Sequence, residues 1–155
     1  AFELLHLAHP EARLVIAGGG EDESNLKKLT QTLGLTNVIS FLGKIEDELK
    51  VFLMQQAWVF ANPSSMEGWG ITSIEANACG TPVVASNVPG LRDSVRNPHT
   101  GYLVEYGNPA AFAEKIDLLI SNSKQRQFME QESMEWAAKF DWNQQAEKAL
   151  EVLLN

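Results

Sequence analysis

The sequence is short of cysteine, of positive charge and of long apolar runs. One cysteine, Cys79, stands among 155 residues. A single thiol excludes an internal disulfide framework and fits a reducing, cytoplasmic compartment. Lysine and arginine number 12 against 20 acids, a formal net charge of -8. A nucleic-acid-binding face needs clustered bases, so this balance argues against nucleic acid as a partner. A basic membrane-docking face is unsupported for the same reason. No apolar run approaches the roughly 20 residues of a membrane span. The first ten residues carry Glu3, His6 and His9 and do not read as a signal peptide, which has a basic start and a long apolar stretch. None of His6, His9 and His99 has a metal-ligand spacing with another His, Cys or Asp.

What is present is enough apolar material, 45% of residues, for one domain with a real core. Short apolar runs at 13–17, 38–41, 58–61, 82–85 and 102–104 read as strands. Between them lie amphipathic stretches. Leu26, Leu29 and Leu33 share a helix face that Gly34 ends. Residues 46–56 form a helix with Leu49, Phe52 and Leu53 on one side, and 71–78 form another with Gly80 past its end. After Pro109 the chain is helical, with breaks near 121–123 and 141. This alternation predicts an α/β fold: a Rossmann-like three-layer α/β/α domain around a parallel sheet of about five strands. Ligands in such sheets bind at the C-terminal strand ends, here 18–20, 43–45, 63–70 and 86–90. Phe2, Leu4, Leu5 and Leu7 recur at near-helical spacing up to Pro10, with no capping residue ahead of them. They read as the middle of a helix, so the expectation is a piece of a longer protein.

The segment 62–85 is the richest in chemistry. A strand ends, a loop Pro63-Ser-Ser-Met-Glu-Gly-Trp-Gly70 follows, and a helix begins near Ile71. A helix start offers unpaired backbone N–H groups and partial positive charge, which suits a phosphate. Gly68 and Gly70 let the backbone approach a ligand closely, and Thr72 and Ser73 could add hydroxyl donors. Glu67 and Glu75 flank this point. A carboxylate repels phosphate but accepts hydrogen bonds from hydroxyls, which a sugar on one side and a ribose on the other would supply. The alternative is structural: Glu67 as a surface acid of the loop and Glu75 as an acid complementing the helix dipole.

The stretch 63–85, with two Glu separated by seven residues, a small-residue helix and Gly80-Thr-Pro-Val-Val84, resembles the signature of the retaining GT-B-fold glycosyltransferases. The resemblance extends over nearly the whole chain, through Leu14-Val-Ile-Ala-Gly-Gly-Gly-Glu21, Phe41-Leu-Gly-Lys-Ile45, Val88-Pro-Gly-Leu-Arg-Asp-Ser-Val95, Thr100-Gly-Tyr-Leu-Val104 and Phe140-Asp-Trp142. It implies that residues 1–155 are a single nucleotide-sugar-binding domain, the C-terminal half of a two-domain retaining glycosyltransferase of hexosyltransferase type. The sheet would then lack that half's first strand. The resemblance assigns Glu67 to hydroxyls of the transferred sugar beside the anomeric carbon. It assigns the backbone of Gly68, Trp69, Gly70 and Ile71 to the sugar and distal phosphate, Thr72 and Ser73 to the phosphate side, and Glu75 to the ribose hydroxyls. Lys44 and Ile45 would border the base. The substrate implied is a UDP-, GDP- or ADP-sugar, with no metal required. The acceptor-binding N-terminal domain is the implied partner, and any membrane association would belong to that half. Relatives hold the pyrophosphate with an Arg and a Lys near the first strand, which this sequence does not include; Lys44 and Lys50 are the cations near the predicted edge. The expectation is a fragment that transfers nothing by itself. Rival readings are a GT-B-like sugar-nucleotide epimerase or phosphorylase domain, and a non-catalytic regulatory domain of the same fold; the two Glu at this spacing favour transfer.

Other features invite chemistry and have plainer explanations. Gly18-Gly-Gly-Glu-Asp-Glu23 lacks the third glycine of a dinucleotide fingerprint, and Asp22 stands where the family usually has Pro. The acid runs 21–23 and 46–48 sit at expected helix starts, where acids complement the dipole rather than hold a metal. Cys79 reads as a small core residue. Trp136 and Trp142 read as core anchors, and Arg92 and Asp93 as loop residues near the cleft. Trp58 stands where many relatives have Asp.

Overall fold

The computed structural model describes residues 1–154, without the side chains of residues 142–145 and 148. Five strands alternate with helices in chain order: α1 (Phe2–Ala8), β1 (Leu14–Ala17), α2 (Glu23–Thr32), β2 (Ile39–Gly43), α3 (Asp47–Gln56), β3 (Phe60–Asn62), α4 (Ile71–Ala78), β4 (Val83–Ser86), α5 (Leu91–Ser94), β5 (Gly101–Val104), α6 (Pro109–Ser121), α7 (Ser123–Ala137) and α8 (Trp142–Leu154). A short 3-10 turn, Ala138–Phe140, joins the last two helices.

Every strand pair is parallel, as the alternating pattern predicts. The single sheet of that expectation is divided, however. β1 pairs with β2, and β3, β4 and β5 form a second sheet in that order. Among the described residues no ladder joins β1 or β2 to β3, β4 or β5, so the five strands make two sheets.

Burial concentrates on the three-stranded side, and β4 is its axis. All four β4 residues are buried. Alternate side chains of a strand point to opposite faces. Val83 and Ala85 join Met54, Ala76, Val88, Leu91 and Val95 in one cluster, while Val84 joins Val104, Phe112, Leu119 and Met129 in another. The sheet is thus covered on both faces, α3–α5 on one and α6–α7 on the other. This is the three-layer arrangement, and it accounts for the unbroken apolar run of β4. On the two-stranded side the faces read from the sequence stay largely open: Leu26, Leu29, Leu49 and Phe52 are exposed. Asn108 caps α6, accepting from the Ala111 N–H at 3.0 Å, with Pro109 at the first helical position.

Candidate functional site

The loop from β3 to α4 is fixed at both ends. Asn62, the last residue of β3, is buried; its amide donates to the Ser73 hydroxyl at 3.3 Å, and its side-chain oxygen accepts from the Ser64 N–H at 3.3 Å. One asparagine thereby ties the strand end to its own loop and to the first turn of α4. Asn before Pro at a strand end is a turn signal legible in the sequence, while the tie to Ser73 is not.

The start of α4 is open. No side chain caps it, and Gly70 at its head lies in the left-handed region with φ 77°. The N–H groups of Ser73 and Ile74 reach the Gly70 carbonyl at 2.9 and 3.4 Å. Those of Ile71 and Thr72 come before the first intrahelical bond and have no partner among the described residues. Gly70 must be glycine for a second reason: a Cβ there would stand 2.7 Å from both Leu91 Cδ2 and Ser94 Oγ. Gly90, with φ 83°, is tighter. A Cβ on it would run into the Glu67 carbonyl oxygen and lie 2.9 Å from the Gly68 carbonyl carbon. The turn at 86–90 therefore packs directly against the Glu67–Gly68 backbone, as two strand ends sharing an edge require.

Glu67 is half-buried, and its Oε1 accepts from the Ser64 hydroxyl at 2.9 Å. Gly68 is exposed, and Ile71 and Thr72 are exposed at the helix start. Ser73 is fully buried. The Trp69 ring packs edge-on against Phe140, with centroids 4.7 Å apart; Phe140 in turn meets Trp136 at 4.8 Å. Trp136 Nε1 donates to the Ser94 carbonyl at 2.9 Å. This aromatic ladder clamps the loop to the end of α7, and it agrees with the reading of Trp136 as an anchor. The matching expectation for Trp142 concerns a side chain outside the described residues. Lys44, exposed, and Ile45, half-buried, follow β2. Their turn is held by the Gly18 N–H, which donates to the Gly43 carbonyl at 2.7 Å. Among the described residues no hydrogen bond or ion pair joins Lys44 or Ile45 to the β3–α4 loop.

Glu75 lies one turn into α4. Its Oε1 accepts from Lys50 Nζ of α3 at 3.0 Å, and Lys50 also meets Asp47 at 3.1 Å. Its Oε2 is buried and has no hydrogen-bond partner among the described residues. The hydrogen bond to Glu75, then that to Asp47, holds the Lys50 ammonium above its ordinary pKa. These three groups and the apolar Val51, Met54, Ala78 and Cys79 line a cavity of about 290 Å³ between α3 and α4. Burial, with the Glu75 charge adding to it, pushes the Cys79 thiol up, so it stays protonated, as a packing residue would. Trp58, without a role in the sequence reading, carries the Arg126 guanidinium on its ring at 4.4 Å, while Arg126 Nη1 donates to the Leu119 carbonyl at 2.7 Å. Among the described residues no group of three or more His, Cys, Asp or Glu side chains gathers to hold a metal ion. No helix among them is long and apolar enough to cross a membrane.

Parallel strands feeding helices, with an uncapped helix start between two carboxylates at the strand ends, define a Rossmann-like α/β domain of the GT-B class. The chain belongs to the family of glycosyl transferases group 1, whose family model matches residues 1–136. It is 34% identical over 145 residues to a D-inositol 3-phosphate glycosyltransferase of Corynebacterium urealyticum, a match that covers 90% of this chain and 34% of that protein. The chain thus spans about a third of the length of that curated relative. Among solved structures it is similar to sucrose-phosphate synthase from Thermosynechococcus elongatus, with a TM-score of 0.88 and 27% identity, covering 99% of this chain and 41% of that one. It is also similar to HepE of Anabaena, solved in complex with UDP-glucose, with a TM-score of 0.84 and 27% identity, covering 97% of this chain and 44% of that one.

Proposed function

We propose that this chain is the donor-binding domain of a retaining glycosyltransferase, one that transfers a sugar from a nucleoside diphosphate sugar to an acceptor. The observation that carries the reading is the start of α4, where the Ile71 and Thr72 N–H groups stand open between Glu67 and Glu75. The distal phosphate lies at this helix start. Fixed N–H dipoles there stabilise the charge that develops on the departing diphosphate, without reorganising during the reaction. Gly68, where a Cβ would meet open space, keeps a side chain out of the path of the ligand, and Gly70 sets the turn into α4. Glu67, held by Ser64, accepts from hydroxyls of the transferred sugar. Glu75 accepts from the ribose, and Lys44 and Ile45 border the base. The likeness to HepE with its bound UDP-glucose supports a UDP-sugar among the UDP-, GDP- and ADP-sugars considered. Donor binding is metal-independent on this reading, so affinity measured with and without EDTA is the same.

Lys50 is engaged by two carboxylates, while Lys44 and Arg92 are exposed near the strand ends. No hydrogen bond or ion pair among the described residues fixes either at the α4 start, so these residues do not by themselves complete the positive charge that a diphosphate leaving group needs. The chain alone binds nucleotide weakly and transfers nothing; an acceptor-binding domain completes the cleft. Calorimetry with nucleoside diphosphates checks the assignment of Glu75. Glu75→Ala weakens binding about tenfold, the worth of a hydrogen bond to a charged acceptor. Unchanged affinity would remove Glu75 from the site.

A further inference from the structure

We propose that Lys50 is a positioning residue: it holds the Glu75 carboxylate in the orientation that receives a ribose hydroxyl. The inference rests on the reading of Glu75 as the ribose acceptor, and it adds the group that sets the carboxylate's rotation.

Glu75 projects from α4 into the groove beside α3, and its Oε2 is buried with no partner among the described residues. A carboxylate with one desolvated oxygen needs a counter-charge, or it turns out into water. Lys50 supplies that charge from across the groove, 3.0 Å from Oε1, and its side chain is 30% exposed. An ammonium has three donors, and here two of them are directed by Asp47 and Glu75. Asp47 is almost fully exposed and loses little by pairing with water instead. Glu75, with its buried oxygen, depends on Lys50 more.

The same engagement keeps Lys50 off the phosphate. It also leaves the second acceptor direction of Oε1 for a hydroxyl arriving from the cavity side. Lys50 and Glu75 are 25 residues apart in sequence, and the two helices meet only in the folded chain.

The test compares UDP, GDP and ADP with their 2′-deoxy counterparts by calorimetry on the full chain, up to millimolar nucleotide. The parent prefers the ribonucleotide of whichever base binds, and Glu75→Ala abolishes that preference. Lys50→Met cuts the preference several-fold, Lys50→Arg restores it, and neither shifts the melting temperature appreciably. Lys50→Gln, of similar reach and without charge, is the second variant and must also cut the preference. A purely structural Lys50 would lower the melting temperature, or weaken ribo and deoxy forms alike. If Glu75→Ala abolishes the preference while Lys50→Met and Lys50→Gln retain it, the positioning role is overturned and the ribose reading stands. If Glu75→Ala retains it, if the parent shows no preference, or if no nucleotide binds, both are overturned.

Discussion

Asn77 shows how one side chain can fasten several elements. It is fully buried in α4, and its amide nitrogen lies 3.1 Å from the Thr81 carbonyl, 3.3 Å from the Thr100 carbonyl and 3.1 Å from the Ser133 hydroxyl. These acceptors sit just before β4, just before β5 and on α7. Removing the amide takes the donor from the Thr81 carbonyl in a region closed to water, while the Thr100 carbonyl keeps the Val83 N–H and the Ser133 hydroxyl as donors. Asn77→Ala therefore lowers stability by about 2 kcal/mol, the cost of a buried carbonyl left unpaired. Chemical denaturation measures it, and a loss under about 1 kcal/mol contradicts the network. α4 also carries Glu75, so the variant loosens the candidate site together with the fold.

At the scale of elements, His9 at the C-cap of α1 meets α6 through a polar contact, His9 Nε2 to Asp117 Oδ1 at 2.6 Å. The hydrogen bond to His9, then that to Ser121, holds the Asp117 carboxyl below its ordinary pKa of 3.8. A carboxylate depressed in the folded state stabilises it above the unfolded pKa, and that stability is lost as pH falls through the folded pKa. Asp117→Asn is accordingly less stable than the parent near neutral pH. The gap in melting temperature closes once the pH passes below the carboxylate range; a gap of constant size down to acid pH contradicts the account.

The elements differ in how plainly the sequence announces them. α4 begins and ends where Gly70, the small-residue run and Gly80 place it. β4 follows from four consecutive buried residues, and Pro109 with Asn108 marks the start of α6. The division of the sheet is not legible, because the sequence specifies strands and not the ladder between β1 and β3. The apolar faces of α2 and α3 mislead, since a periodic stripe shows what a helix can bury and not what lies against it. The site is partly legible. The glycines and acids of the β3–α4 loop stand next to one another in sequence, while the Lys50–Glu75 pair, the Trp69–Phe140 contact and Arg126 on Trp58 are tertiary. Local pattern carries no sign of them.

At the scale of the whole molecule, the β3–β5 sheet is clad on both faces and leaves one edge for chemistry, where the loops 63–70 and 86–90 meet. The family supplies the class of reaction, and the chain spans about a third of a curated relative. What this chain provides on its own is a framed helix start with a carboxylate on either side. The most direct measurement is an amide-resolved NMR titration of the chain with UDP-glucose and with GDP- and ADP-sugars. The account predicts saturable shifts at Gly68, Gly70, Ile71 and Thr72, with Lys44, Ile45 and Glu75 following the same curve for the preferred donor. Shifts confined to other surfaces, or no saturable shift with any donor at millimolar concentration, would contradict it.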